Sequence, residues 1–145
     1  MAPYPPVSAE RRAADEDESR RANRRDWDRY ADEYQATHGT FLGDARFVWG
    51  PEGISEDTLQ ILGDVTDRDV LELGCGAGQC SRWVAVNGGR PIGLDLSHRQ
   101  LQHSKRIDAA TGVAVPVIGA TAAQLPLADD TFDIVHAHQV LQYLA

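Results

Sequence analysis

Residues 69–80 read Asp-Val-Leu-Glu-Leu-Gly-Cys-Gly-Ala-Gly-Gln-Cys, and this stretch decides the fold. Its first half is a short, almost continuous apolar run, which is typical of a parallel strand covered on both faces. The second half places glycines at 74, 76 and 78. Glycine permits a tight turn and lets a ligand lie directly against the backbone. The stretch therefore predicts a strand, a glycine-rich turn and a helix whose free N–H groups face a ligand.

A second predicted strand ends in an acidic residue, Asp95, 21 positions after Gly74. That separation allows one helix and a return strand, so the carboxylate is expected beside the glycine turn. There it can accept hydrogen bonds from both hydroxyls of a ribose. Aspartate is also common at strand ends and helix caps, which is the alternative role for this residue. Together the two features predict a nucleoside-binding βαβ unit.

Two residues bear on which nucleoside binds. The dinucleotide fingerprint requires glycine or alanine at its third glycine position, where this chain has Gln79. Glu72 precedes the turn by two residues. A carboxylate there would repel a pyrophosphate but suits a ligand that carries an ammonium and a sulfonium cation. We therefore favour S-adenosylmethionine over NAD, and an NAD-dependent oxidoreductase is the alternative enzyme class.

Residues 72–78 resemble the first motif of the class I S-adenosylmethionine-dependent methyltransferases, of the methyltransferase type 11-like kind. Residues 119–127 and the Asp-x-x-Phe-Asp run at 129–133 resemble later motifs of the same family, in the same order. The family's aspartate that meets the adenine amino group falls at Thr121, whose hydroxyl can accept a hydrogen bond without charge. Ala122 keeps the place of a backbone donor to the adenine ring. The resemblance covers residues 69–140.

This resemblance implies a methyltransferase that uses S-adenosylmethionine and methylates an N, O or C nucleophile of a small-molecule substrate. The residues it assigns to the cofactor are Tyr34, Glu72, Gly74, Cys75, Gly76, Gly78, Asp95, Leu96, Thr121, Ala122, Ala137 and His138. It assigns no catalytic residue, and we interpret His38 and His136 first as packing residues. A remnant that binds the cofactor without activity is the second alternative.

The alternation of strand and helix predicts an α/β fold, a doubly wound Rossmann-like parallel sheet with strand order 3-2-1-4 and an N-terminal helical cap. We expect strands at 70–73, 92–95, 113–118 and 132–137, and helices at 79–87, 100–109 and 138–144. Pro116 interrupts the third strand, and proline is confined to sheet edges, which agrees with this order. Because the family's remaining strands are absent, we expect a chain truncated after the fourth strand. That strand would be open to self-association or a partner chain.

Three zones are expected along the chain. They are a disordered or solvated helical tail at 1–25, an N-terminal cap or lid segment at 26–68 and an incomplete cofactor-binding core at 69–145. We expect Ser8 to cap a helix over residues 9–35, in which Trp27, Tyr30 and Tyr34 recur at helical spacing. Residues 38–53 alternate glycines with aromatic side chains, and we favour a mobile lid over a hydrophobic plug. Ser55 is expected to cap a short helix that ends at Gly63.

Composition indicates which classes of partner the protein binds and in which compartment it acts. The net charge is −8, so no field favours nucleic-acid phosphates or an anionic membrane. Two cysteines at 75 and 80 lack the spacing of a metal pair, so we predict no metal and two free thiols. No apolar run approaches the length that spans a bilayer. These features predict a cytoplasmic protein.

Overall fold

In the computed structural model, which describes residues 15–144, four parallel strands form one sheet in the order β3-β2-β1-β4. The strands are β1 (Asp69–Leu73), β2 (Arg90–Asp95), β3 (Val117–Gly119) and β4 (Ile134–His136). The helices are α1 (Glu16–Leu42), α2 (Glu56–Leu59), α3 (Gln79–Val86) and α4 (His98–Thr111), and Leu141–Tyr143 form a single 3-10 turn. The predicted Rossmann-like sheet and its strand order are confirmed. None of the helices within the described residues is long and apolar enough to cross a membrane.

The strand β1 is central because it pairs with β2 on one side and β4 on the other. Its residues Val70 and Leu71 are buried, as the apolar run predicted. One apolar cluster joins this strand to α3 and to the segment before β1. It consists of Phe47, Val65, Val70, Cys80, Trp83 and Val84.

The two outer strands are shorter than predicted. Pro116 precedes β3 instead of lying within it, because proline has no N–H to pair; its carbonyl accepts a hydrogen bond from the Gly93 N–H at 2.9 Å. The strand β4 ends at His136, and the predicted helix at 138–144 is wrong. Gln139 has a φ of 58°, which breaks any helical run, and only the 3-10 turn follows it.

The helix α1 ends seven residues later than predicted, and its N-terminal cap is Asp15. Asp15 caps it through a hydrogen bond from the Glu18 N–H, while the predicted cap Ser8 lies outside the described residues. The helix continues to Leu42 and ends at Gly43, whose φ is 68°. Sequence reasoning placed a loop from residue 38 onward because glycine is unfavourable in a helix interior, by about 1 kcal/mol. Gly39 is nevertheless helical.

Two aspartates of α1 hold this helix against the start of α4. Asp28 accepts hydrogen bonds from the Ser97 hydroxyl at 2.7 Å and from the Arg99 N–H at 3.1 Å. Asp32 forms an ion pair with Arg99 at 2.7 Å. Ser97 also caps α4, as predicted, by accepting from the Gln100 N–H. The cap residue is thus shared between both helices, and α1 is fixed over the sheet.

The segment between α1 and β1 is anchored at Phe47, which is fully buried in the apolar cluster. Ile54 and Ile61 of the same segment are exposed, and the mobile lid that we favoured stays a prediction. The helix predicted after Ser55 is only one turn long, because Gln60 adopts a left-handed conformation with a φ of 52°. The buried Glu56 carboxylate accepts from the Ile61 and Leu62 N–H groups and from the Trp49 indole.

Candidate functional site

A cleft of about 470 Å³ opens between α1 and the carboxyl ends of β1 and β2. Ten of the twelve residues predicted to contact the cofactor line it. They are Tyr34, Glu72, Gly74, Cys75, Gly76, Asp95, Leu96, Thr121, Ala122 and His138. Gly78 and Ala137 are not among its lining residues. The topology therefore places segments from five regions of the chain around one cavity, at the end of the sheet where α/β proteins bind ligands.

The three glycines of the turn have separate structural roles. All three have a positive φ, a backbone conformation that residues with a side chain rarely adopt. At Gly74 a Cβ would lie 2.4 Å from the Val140 side chain, so this glycine is covered from above. At Gly78 a Cβ would meet the Ser104 hydroxyl at 2.8 Å, so this glycine permits close packing of α4. Only at Gly76 is the space open, with the nearest atom at 3.9 Å, and it is the glycine over which a ligand can lie.

Asp95 ends β2 and joins that strand to the glycine turn. Its Oδ2 accepts a hydrogen bond from the Gly76 N–H at 2.8 Å, and its Oδ1 accepts from the Ser97 N–H at 2.8 Å. A carboxylate offers about four lone-pair positions, so both oxygens keep capacity for a ligand. Burial raises the pKa of Asp95, and the backbone N–H donors oppose that rise. The carboxylate thus lies directly beside the open glycine.

Glu72 lies at the other end of the glycine turn, buried under the start of α3. Its Oε2 accepts hydrogen bonds from both the N–H and the hydroxyl of Ser81. Burial raises the pKa of Glu72 to about 7, although the hydrogen bonds from Ser81 lower it. One carboxylate oxygen of Glu72 therefore accepts from an N–H group in the first turn of α3, which has no partner within the helix. The contact with a cationic ligand remains a prediction.

The wall opposite the glycine turn is aromatic and comes from α1. Tyr34 is half-buried, with its ring centroid 5.9 Å from that of Trp27 and 4.7 Å from that of His38. Burial raises the pKa of Tyr34, which keeps its hydroxyl protonated. Trp27 in turn packs edge-on against Tyr143, with centroids 5.5 Å apart. The aromatic stripe of α1 thus covers the cleft and also packs against the segment after β4.

Sequence reasoning missed a chain of three glutamines across the cleft. The Gln79 amide donates to Gln35 at 3.1 Å, and the Gln35 amide donates to Gln100 at 2.9 Å. All three residues line the cleft and link α3, α1 and α4. Their separations along the sequence are irregular, so no spacing could have indicated this contact. Gln79, which argued against NAD in the sequence, therefore also holds α1 in place.

The segment after β3 provides the predicted adenine side of the cleft. Thr121 and Ala122 both line it and are half-buried. The Thr121 hydroxyl accepts a hydrogen bond from the Ala123 N–H at 3.2 Å, which shapes the turn. A hydroxyl in this position can still donate one hydrogen bond.

Two histidines lie at the carboxyl end of β4, with ring centroids 6.0 Å apart. The His138 ring stacks on Phe47 at 5.4 Å and lines the cleft. Burial lowers the pKa of both, and that of His136 falls to about 4 with a further contribution from His138. Both imidazoles are therefore neutral at neutral pH. Cys75 and Cys80 are buried free thiols, and burial raises the pKa of each.

Two curated proteins are similar to part of this chain. The chain is 32% identical over 85 residues to a malonyl-[acyl-carrier protein] O-methyltransferase of Hamiltonella defensa, covering 59% of this chain and 31% of that protein. It is 37% identical over 76 residues to a ubiquinone biosynthesis O-methyltransferase of Rhizobium etli, covering 52% and 31%. The chain thus spans about a third of the length of these curated relatives.

One solved structure and one domain family complete the comparison. The structure of an S-adenosylmethionine dependent methyltransferase from Mesorhizobium loti is 28% identical, with a TM-score of 0.56, over 66% of this chain and 45% of that one. The methyltransferase domain family matches residues 70–145. That range includes the glycine turn, Asp95, the Thr121 segment and β4, and it is more than half of the chain. On this match, the chain belongs to the methyltransferase domain family.

Proposed function

We propose that this chain binds S-adenosylmethionine in the cleft and acts in transfer of its methyl group to an N, O or C nucleophile of a small molecule. The observation that carries the proposal is the hydrogen bond from the Gly76 N–H to Asp95 at 2.8 Å. It holds the carboxylate that we assign to the ribose against the one glycine of the turn whose face is open to a ligand. Both curated relatives are named O-methyltransferases, which favours oxygen among the three nucleophiles.

We assign the residues of the cleft to different parts of such a ligand. Asp95 accepts from the ribose hydroxyls, and Gly74, Cys75 and Gly76 present backbone to the methionine part. Thr121, Ala122 and Leu96 contact the adenine, while Tyr34 and His138 cover the sulfonium region. Glu72 serves the ammonium group. Gly78 acts indirectly, by letting α4 pack against the turn, and Ala137 only sets the position of His138.

The chemistry makes modest demands on this chain. When bound, the cofactor supplies a methyl group that is already activated by the sulfonium. The protein's part is to hold the two reactants in line and to keep water away, which is a positional advantage of several kcal/mol. The aromatic wall of Trp27 and Tyr34 contributes to excluding water. We assign no general base.

The partners and the location follow from the surface and the thiols. Val135 of β4 is 56% exposed, at an edge of the sheet that the described residues form, which supports pairing of β4 with another chain or with a second copy. The two buried free thiols support a reducing compartment, and we propose the cytoplasm.

Replacing Asp95 by alanine should reduce the affinity for S-adenosylmethionine by about tenfold or more, because hydrogen bonds to a charged group contribute about 1.5–3 kcal/mol each. Titration calorimetry with the cofactor and with an analogue that lacks both ribose hydroxyls measures the effect. Loss of the Gly76 contact affects both ligands, so only the difference between them reports the ribose contact. Asp129→Ala, at an exposed position, is the matched control and should leave the affinity for both ligands unchanged. Equal losses for the two ligands would show that Asp95 does not bind ribose, and tighter binding of NAD than of S-adenosylmethionine would refute the proposed function.

A further inference from the structure

Four potential metal ligands lie close together beside the carboxyl ends of β1 and β4, although we predicted no metal site from the sequence. One ligand atom each from Glu72, His136 and His138 lies within 4.8 Å of the other two. The Cys80 sulfur lies 3.8 Å from Nε2 of His138. These residues come from β1, α3 and the end of β4, and the parallel sheet brings them together. Cys80 follows Glu72 by 8 positions and His136 follows Cys80 by 56, so no short sequence motif contains the cluster.

The two histidines bury ring nitrogens that have no partner. His136 is only 6% exposed, and both its Nδ1 and its Nε2 lack a hydrogen bond within the described part of the chain. Nδ1 of His138 is in the same situation. A buried polar atom without a hydrogen bond is costly, and native proteins rarely leave one without a water or ion. One ion can bind one nitrogen of each ring, so the two histidines offer a common partner two ligand atoms.

Charge favours a cation as that partner. Glu72 is 3% exposed, and the groups that act on its carboxylate are Ser81, Asp95 and Cys80, none of which is a cation. A divalent ion binds imidazole nitrogens and a carboxylate oxygen together, whereas a water molecule forms only hydrogen bonds with them. Hydrogen bonds from Ser81 hold Glu72 in a fixed orientation, as is usual around metal ligands.

We propose that Glu72, His136 and His138, with Cys80 as the fourth ligand, bind a divalent transition-metal ion of the zinc class. Zinc takes nitrogen, oxygen and sulfur ligands tetrahedrally at about 2.0–2.3 Å, so neighbouring ligand atoms lie about 3.3–3.7 Å apart. The observed separations require side-chain movements of about 1 Å or slightly more. The ion would fasten the end of β4 to the glycine turn. This site replaces our sequence prediction that no metal binds, and it does not depend on methyl transfer. Because Glu72 and His138 are also the residues that we assign to the cofactor, the ion and the cofactor should compete for these two side chains, and the tests below use the cofactor-free chain.

Cobalt(II) is the most informative probe, because its visible spectrum reports coordination geometry and sulfur ligation. After treatment with EDTA, the 145-residue chain should bind one equivalent of Co²⁺, with the intense visible bands of a tetrahedral site and a sulfur-to-metal charge-transfer band. One equivalent of Zn²⁺ should displace it and raise the melting temperature. Absence of stoichiometric binding at micromolar protein would overturn the proposal.

Variants separate this site from adventitious binding. His138→Ala and His136→Leu should each weaken Zn²⁺ binding by about tenfold or more. Cys80→Ala should abolish the charge-transfer band, and a band that persists would contradict the assignment of Cys80. The exposed His98, replaced by alanine, is the control, and a comparable loss there would indicate adventitious binding and refute the site.

Folding is monitored separately in EDTA. Replacing His136 by leucine removes two unpartnered nitrogens, so the metal-free variant should be at least as stable as the metal-free parent. A variant that melts like the parent in EDTA but gains no stability from Zn²⁺ has lost a ligand and not its fold. If His136→Leu and His138→Ala both gain as much stability from Zn²⁺ as the parent does, the proposal is wrong.

Discussion

Replacing Arg82 by leucine should lower the free energy of unfolding by about 3–5 kcal/mol, the usual cost of breaking a buried ion pair by removing one partner. Arg82 is fully buried, and its guanidinium lies 2.9 Å from the Asp108 carboxylate. It also donates to the carbonyls of Asp44, Ala77 and Ser104, at 2.6, 3.2 and 3.2 Å. One side chain thus joins the segment after α1, the glycine turn and α4. Urea unfolding followed by circular dichroism measures the loss.

A matched pair on the surface supplies the control. Arg99 and Asp32 also form a close ion pair, but both side chains are partly exposed, so Arg99→Leu should cost only about 0–1 kcal/mol. The double variant Arg82→Leu with Asp108→Leu should regain part of the loss, because it no longer buries an uncompensated carboxylate. If Arg82→Leu and Arg99→Leu cost the same, burial does not determine the contribution of Arg82.

Asp108 shows why the pair depends on both members. Burial acts to raise the pKa of Asp108, but hydrogen bonds from Arg82 and Lys105 outweigh it and hold that pKa below its usual range. Lys105 remains after the substitution, at 3.2 Å, and it is largely exposed. Without Arg82, one exposed lysine would have to compensate a carboxylate that is 9% exposed.

The sheet was predictable because its signals are local. The apolar runs of β1 and β2, the alternating glycines and Asp95 all lie within residues 69–95, and each has a direct physical reason. The position of Pro116 then fixed β3 at an edge. These features also predicted the place of the cleft, since ligands bind at the carboxyl ends of parallel strands.

The remaining features depend on contacts between residues distant in sequence. Arg82 lies in the middle of α3 and resembles a surface residue until Asp108 is placed beside it. The Glu56 carboxylate accepts hydrogen bonds from the N–H groups of Ile61 and Leu62, which follow α2, and no helix-propensity rule describes this arrangement. Gly78 fits the motif of a ligand-binding glycine, yet the space beside it belongs to Ser104. In each case the residue type was visible and its partner was not.

A leucine in place of Gly76 should reduce the affinity for S-adenosylmethionine by about a hundredfold or more, which corresponds to about 2.7 kcal/mol. The protein itself leaves room there, because the nearest atom to a new Cβ is the Gln100 amide oxygen at 3.9 Å. The side chain would therefore fill the space that we assign to the ligand. It would also strain the backbone, since φ is +53° and a left-handed conformation costs most residues about 1–2 kcal/mol.

The strain can be separated from the loss of space with a second glycine. Gly112 ends α4 with a φ of +72° and has nothing within 4 Å of a new Cβ, and it lies outside the cleft lining. Gly112→Leu should therefore lower stability about as much as Gly76→Leu does, while leaving cofactor affinity unchanged. Calorimetric titration of both variants, with melting curves alongside, tests the difference. Equal affinities in the two variants would mean that the ligand does not lie over Gly76, and that the glycine turn serves packing alone.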